Sequence, residues 1–407
     1  MITLNTSDLL FVKLENDSFG QTKSADPLDI NSGYLGAAYL AASMAQIDDS
    51  QDWRQVTMKQ LNHIFKQLGA SKYSHGGMLG GLAGLALLLQ TSKQDPAEYV
   101  GALHKIETRL LHHVRCSLEK LQTSIGMPRF DYDYAIGLTG ILYYFELFPP
   151  AEREQQELIT GALQYLVGVA KSSFDEFFWT PSIAVPHEVV QQEPKAAFGI
   201  LDFGQAHGIS GVLGLFLAHV QRTKDHSVQE AIPGLLAALV RGYDTSIVPG
   251  IPYYLCGHPE SESWLNDEPV GFGSGPTARN GWCYGLPILE IYMANYGLAI
   301  PKRLELSFTS PEYVDPRTGG FDGPGLCHGI AGRMALNYLM RKPIPDIWWE
   351  RAEQQLQALN DVENSGLDFG FWDGIGGLQI VVQAISQSKP LPKQLQILGL
   401  PYEHIAL

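Results

Sequence analysis

The sequence predicts an all-α fold, an α/α toroid in which seven inner helices are enclosed by seven outer ones. Three observations predict it: a glycine motif recurs seven times, the intervals between copies hold a pair of helices, and two kinds of helix alternate in polarity. Forty-two glycines in 407 residues are many for a helical chain, and they recur at a fixed place, as repeat architectures require. Gly-x-x-Gly followed by an apolar run stands at Gly33-Tyr34-Leu35-Gly36, Gly81-Leu82-Ala83-Gly84, Gly137-Leu138-Thr139-Gly140, Gly208-Ile209-Ser210-Gly211, Gly329-Ile330-Ala331-Gly332 and Gly374-Ile375-Gly376-Gly377. A seventh copy, Gly285-Leu286-Pro287-Ile288, lacks the second glycine but carries a proline where a first helical turn tolerates one.

The spacing of 44 residues from Gly285 to Gly329, and of 45 from Gly329 to Gly374, holds two helices and two loops. Trp53 to Leu68, Tyr99 to Leu121, Glu152 to Lys171, Ser227 to Tyr243 and Asp346 to Asn360 supply the second helix of each pair. In one of them Val100, Leu103, Leu110, Leu111, Val114, Leu118 and Leu121 fall mostly on one face, away from Lys105, Glu107, Glu119 and Lys120. That pattern marks an outer helix solvated on one side. The helices after the glycines, such as Val212 to Ala218, are apolar nearly all round and are expected to be buried. Glycine at their starts allows tight turns and close backbone approach near a crowded axis. An open helical solenoid has the same periodicity; inner helices without a polar face favour the closed ring.

The repeat makes residues 1–407 a single domain, although length alone suggests two or three. The intervals of 71 residues from Gly137 to Gly208, and of 77 from Gly208 to Gly285, exceed a helix pair. Residues 174–199 and 245–279 are therefore expected to be loops or small insertions, and insertions on one side of a repeat array often form its binding face.

A net charge of -15 removes the attraction that nucleic acid or an anionic membrane would need. The longest apolar run, Leu79 to Leu89, is far short of the ~18 residues of a membrane span. No basic segment followed by an apolar core opens the sequence, so the expected location is the cytoplasm. Cys116, Cys256, Cys283 and Cys327 are too few for a disulfide framework and fit a reducing compartment.

If the inner helices run parallel, the residues just before each glycine converge on one mouth of the ring, and the reactive residues lie there. Cys283 stands two positions before Gly285 and Cys327 two before Gly329, with His328 next to it. His207 precedes Gly208, Tyr284 precedes Gly285 and Asp373 precedes Gly374, while Asp133 is four before Gly137 and Arg279 six before Gly285. Two cysteines and a histidine suit Zn²⁺ and leave one coordination position open, as catalytic zinc sites do. Two unrelated buried thiols are the plainer alternative, and the matching register argues against it. His112, His113 and Cys116 sit on an outer helix, where packing or surface roles suffice. Cys256 and His258 offer only two groups in a loop, and His75 reads as a hydrogen-bonded structural residue. For Tyr284 and Asp373, helix capping competes with function.

At Asn280-Gly281-Trp282-Cys283-Tyr284-Gly285 and Leu326-Cys327-His328-Gly329, together with Ala206-His207-Gly208-Ile209-Ser210-Gly211, the sequence resembles the lanthionine cyclases, or lanthionine synthetase C, of the stand-alone bacterial type. The resemblance spans nearly the whole chain through its seven repeats. It implies a zinc enzyme that adds cysteine thiols of a dehydrated precursor peptide to dehydroalanine or dehydrobutyrine, giving thioether rings. It also implies a dehydratase and a transporter of the same pathway as partners. The family's zinc ligands fall on Cys283, Cys327 and His328, its further histidine on His207, its arginine on Arg279, its aspartate on Asp133 and its tyrosine on Tyr284. The alternatives are a glutathione-handling or other zinc-thiol toroid enzyme, and a non-catalytic peptide-binding scaffold with a structural zinc.

Overall fold

The computed structural model describes residues 6–15, 26–68, 74–172, 177–244, 253–256, 280–296, 314–315, 323–357 and 369–400. In chain order the first half holds α1 (Thr6–Glu15), α2 (Tyr34–Ile47), α3 (Trp53–Leu68), α4 (Leu82–Ser92), α5 (Val100–Thr123), α6 (Arg129–Tyr132), α7 (Leu138–Leu147) and α8 (Arg153–Lys171). The second half holds α9 (His187–Gln192), β1 (Ile200–Asp202), α10 (Ile209–Thr223), α11 (His226–Gln229), α12 (Ile232–Asp244) and β2 (Tyr254–Cys256). It ends with α13 (Leu286–Tyr296), α14 (Ile330–Leu339), α15 (Asp346–Gln357) and α16 (Ile375–Ser386). Each motif's first glycine directly precedes the first residue of α2, α4, α7, α10, α13, α14 or α16.

The glycines answer a local need. A helix leaves its first four N–H groups without intrahelical partners, and these helices have glycine at the cap position with no side-chain hydrogen bond to offer. The preceding loop curls back and supplies carbonyls instead. The N–H of the second glycine donates to the carbonyl seven residues upstream in three repeats, Gly36 to Asp29, Gly140 to Asp133 and Gly332 to Gly325. A Cβ on these glycines would lie 2.2, 2.0 and 2.1 Å from the carbonyl oxygens of Ile30, Tyr134 and Leu326, six residues upstream. Close approach is therefore required, as the sequence suggested, but the backbone approaching is mainly the repeat's own loop rather than a neighbour at the axis. Gly285, in the diverged repeat, adds a second reason: its φ of 110° lies in the region that favours glycine.

Burial separates the two helix classes. In α2, α4 and α7 most residues are buried on every side of the helix, whereas α3 buries one stripe, Trp53, Val56, Thr57, Gln60, Leu61 and Ile64. Contacts divide the chain into two compact units. The first comprises Met1–Ser74, Leu79–Leu103 and Thr309–Leu407. In it α2 packs on α3, α4 and α16, and α14 packs on α15 and α16. The N–H of Leu326 donates to the Trp372 carbonyl at 2.7 Å, joining two motif loops. The second unit comprises His75–Met78 and His104–Phe308. There α7 packs on α8 and α10, and α10 on α12 and α13. Three motif loops are linked in series: Ala135 N–H donates to the Ala206 carbonyl at 2.9 Å and Gln205 N–H to the Cys283 carbonyl at 2.8 Å.

Three details depart from the expectations. Val100 is 57% exposed, because it opens α5 rather than facing the core, and Ile106 is buried in the stripe. The helix expected over Ser227 to Tyr243 is two helices, α11 and α12, and α12 carries Pro233 in its first turn, where an interior proline would have broken a continuous helix. The insertion at 174–199, described from 177, holds α9 and short 3₁₀ turns and leads into β1, which pairs antiparallel with β2. Of the insertion expected at 245–279, only Tyr253 to Cys256 is among the described residues.

Candidate functional site

Within the second unit the motif loops bring two buried carboxylates together with their partners. Asp133 closes α6, and its side chain is fully buried. Its Oδ1 accepts from the N–H groups of Ile136 and Gly137 at 2.7 and 2.8 Å, shaping the loop that leads into α7. Its Oδ2 lies 2.6 Å from His207 Nδ1, at the head of α10. A carboxylate only accepts, so Nδ1 carries the hydrogen and Nε2 is left for exchange with a ligand. The His207 side chain remains 27% exposed. Burial acts against its charged form, but the hydrogen bond and charge of Asp133 and the charge of Asp202 outweigh burial and the Arg129 guanidinium, raising the imidazole pKa above its ordinary 6.5.

Asp202, at the end of β1, is the second buried carboxylate. Its Oδ1 accepts from Gly204 N–H at 2.8 Å; its Oδ2 accepts from Arg129 Nη1 at 3.0 Å and from the Tyr284 hydroxyl at 3.1 Å. Burial, then the Asp202 charge, pushes the Tyr284 phenol well above 10, so it stays a neutral donor. Arg129 lies over the Phe130 ring at 4.6 Å, and that ring meets the His207 imidazole edge-on at 5.5 Å. Neither Arg129 nor Asp202 stood out in the sequence. Asp202 is six residues before Gly208, the register that Arg279 holds before Gly285, and this was the one signal available. Arg279 itself lies outside the described residues.

Cys283 and Tyr284 lie in the same unit, in the loop before α13. Cys283 is buried, and Trp282 beside it is wholly enclosed and packs edge-on against Tyr134 at 6.1 Å. In the other unit Cys327 and His328 precede α14, both partly exposed, with His328 Nδ1 3.9 Å from an Asp373 carboxylate oxygen. Cys283, Cys327 and His328 are each side chains of a kind that could ligate a metal ion. Two thiols and an imidazole are soft to borderline donors of the kind that Zn²⁺ takes.

The weaker clusters have other partners. On α5 Cys116 Sγ is 3.5 Å from His112 Nε2, and both are exposed. His75 Nδ1 accepts from Gly77 N–H at 3.2 Å. Cys256 is a core residue, buried with Val185, Ala196 and Ile200, and burial, then Glu193, pushes its thiol up to about 12; His258 lies outside the described residues.

The chain is similar to the nisin biosynthesis protein NisC of Lactococcus lactis subsp. lactis, at 24% identity over 385 residues that cover 92% of this chain and 88% of the relative. A solved structure of a nisin cyclase matches its fold with a TM-score of 0.75 at 20% identity, covering 97% of this chain and 96% of the other. The fold class is thus the α/α toroid that the repeat predicts. No helix among the described residues is long and apolar enough to cross a membrane. A family profile described as lanthionine synthetase C-like protein matches residues 24–393. The chain belongs to the lanthionine synthetase C-like family.

Proposed function

We propose that the chain is a zinc-dependent lanthionine cyclase, joining cysteine thiols of a dehydrated precursor peptide to dehydroalanine or dehydrobutyrine. The observation that carries this reading is the Asp133–His207 pair, set at the heads of two repeat helices in a lanthionine synthetase C-like chain. Cys283, Cys327 and His328 would hold one zinc ion. It would supply the nucleophile, since a peptide thiol of pKa ~8.5 is mostly protonated at neutral pH and metal coordination makes it a thiolate.

The chain's own residues then handle protons and charge. Overall the S–H bond breaks, an S–C bond forms at the β-carbon and a proton is added at the α-carbon, so the product is an isomer of the substrate. Nε2 of His207 is the exchanging nitrogen because Asp133 occupies Nδ1. The raised pKa keeps imidazolium available above 6.5, which suits His207 to deliver the α-carbon proton. In its neutral form the same nitrogen takes the proton of an incoming thiol. Anionic charge at the enolate oxygen calls for a cation, and the family resemblance assigns that part to Arg279. The reading takes residues 1–407 as one cyclase domain.

The test is to incubate the protein with a peptide holding one dehydroalanine and one cysteine, and then to alkylate free thiols. Cyclisation leaves the mass unchanged and removes the alkylatable thiol. A thiol count that stays at the no-enzyme level, with zinc bound and the peptide shown to associate, overturns the proposal.

A further inference from the structure

We propose that Asp202 is a positioning residue: it anchors the Tyr284 hydroxyl, and through it the Cys283–Tyr284 turn, with Arg129 as its counter-charge. The inference rests on the cyclase reading only in taking Cys283 as a zinc ligand.

Asp202 is fully buried and lies six residues before Gly208. A buried carboxylate is costly unless paired and hydrogen-bonded, and this one is served from three segments of the second unit. Gly204 N–H comes from its own loop, Arg129 from the start of α6, and Tyr284 from the loop before α13. Tyr284 has a single proton, and Asp202 accepts it.

The hold on Cys283 is close. Gln205, three residues after Asp202, donates its N–H to the Cys283 carbonyl at 2.8 Å, and Gly281 N–H donates to the Tyr284 carbonyl at 2.9 Å. A Cβ on Gly204 would lie 2.6 Å from the Tyr284 ring and 3.0 Å from the Cys283 carbonyl, so the Asp202–Gln205 strand end and the Cys283–Tyr284 turn are in backbone contact. Tyr253 packs edge-on against the Tyr284 ring at 4.7 Å. The hydroxyl of Tyr284 is the polar end of a ring that is otherwise fixed by packing, and Asp202 determines where that end sits. Arg129 makes the arrangement electrically tolerable, because without it Asp202 would be a buried negative charge with no cation beside it, and the same guanidinium also feels the Asp133 charge.

Outer partners that orient a ligand's segment typically cost about 10–100-fold in metal affinity or activity when removed. Three variants test this: Asp202→Asn, Tyr284→Phe and the double. In each, zinc retention is measured against a chromogenic chelator, thiol consumption is followed with the dehydrated peptide, and folding is checked by thermal unfolding. Tyr284→Phe deletes only the hydroxyl, and so decides the matter if Asp202→Asn fails to fold. The expected result is a loss of about 10–100-fold in zinc retention or turnover number in each single variant, with the double no worse than the weaker single. A Tyr284→Phe protein that keeps wild-type zinc retention and turnover overturns the inference, as do losses that multiply in the double variant. A wild type that holds zinc tightly but consumes no thiol, while the variants release zinc, fails the cyclase reading and leaves this inference standing. A wild type that takes up no zinc overturns both.

Discussion

Replacing Gly140 by alanine tests how the repeat helices are started. The new Cβ would sit 2.0 Å from the Tyr134 carbonyl oxygen and 3.0 Å from Met78 N, against an ordinary contact distance of about 3.4 Å. The loop would have to retreat by more than an ångström to admit it. That retreat loosens the Ala135 N–H bond to the Ala206 carbonyl and the Gly140 N–H bond to the Asp133 carbonyl. Overpacking costs about 1–3 kcal/mol and each weakened hydrogen bond about 1 kcal/mol. Against this stands at most about 1 kcal/mol from alanine's better helix propensity, so a net loss of roughly 2–4 kcal/mol is expected. Gly161 and Gly168 on the exposed side of α8 are the control, because nothing lies within 4 Å of a Cβ at either position. Alanine at both should add about 1.5–2 kcal/mol. Denaturant unfolding followed by circular dichroism should therefore show the midpoint moving in opposite directions for the two variants. A Gly140→Ala protein as stable as wild type would refute the argument that the loop's approach requires glycine.

Other outcomes follow from the site. Asp133→Asn keeps an oxygen for the Ile136 and Gly137 N–H groups but removes the charge opposite His207, so the His207 midpoint in a proton NMR titration should fall. In wild type the raised His207 pKa adds stability that is complete below 6.5 and disappears as pH rises through the folded value; in Asp133→Asn that dependence should be reduced. Glu146, bonded to His219 and Arg222, keeps a pKa below its ordinary 4.5 because those partners outweigh burial. Its contribution is present above 4.5 and lost as pH falls through the folded value, so Glu146→Gln should be less stable at neutral pH, with the gap closing in acid. His207→Ala should keep zinc and fold while losing ~10²–10⁴-fold in thiol consumption; equal loss of zinc, seen by elemental analysis, would make it a ligand.

Much of the fold was legible because its signal is periodic. Each Gly-x-x-Gly marks a helix start to the residue, and the outer helix Trp53–Leu68 has the bounds its polarity suggests. Periodicity says nothing of three-residue strands, so β1 and β2 were missed, and with them the segment that carries Asp202. Asp133 and His207 were each legible as candidates because both stand shortly before a motif glycine, whereas their hydrogen bond was visible only in the structure. Arg129 lies eight residues before Gly137, on the one-turn helix α6, where neither offset nor amphipathicity singles it out. The loops themselves explain why six of the seven repeats carry glycine twice: helix N–H groups without partners draw the preceding chain back over the helix start, and a side chain there would collide with it.

Counting free thiols with and without the metal joins the ligand set to the reaction. Purified protein should contain about one zinc per chain. Zinc-stripped protein should keep its helical circular dichroism, since apolar packing holds the repeat helices. With a dehydrated, cysteine-containing peptide, the zinc-loaded chain should remove the alkylatable thiol at unchanged mass. The stripped chain should not, and added zinc should restore the loss in wild type but not in Cys283→Ala or Cys327→Ala. Thiol loss that proceeds equally in stripped protein, or in folded variants lacking both cysteines, would contradict a zinc-dependent cyclase built on these residues.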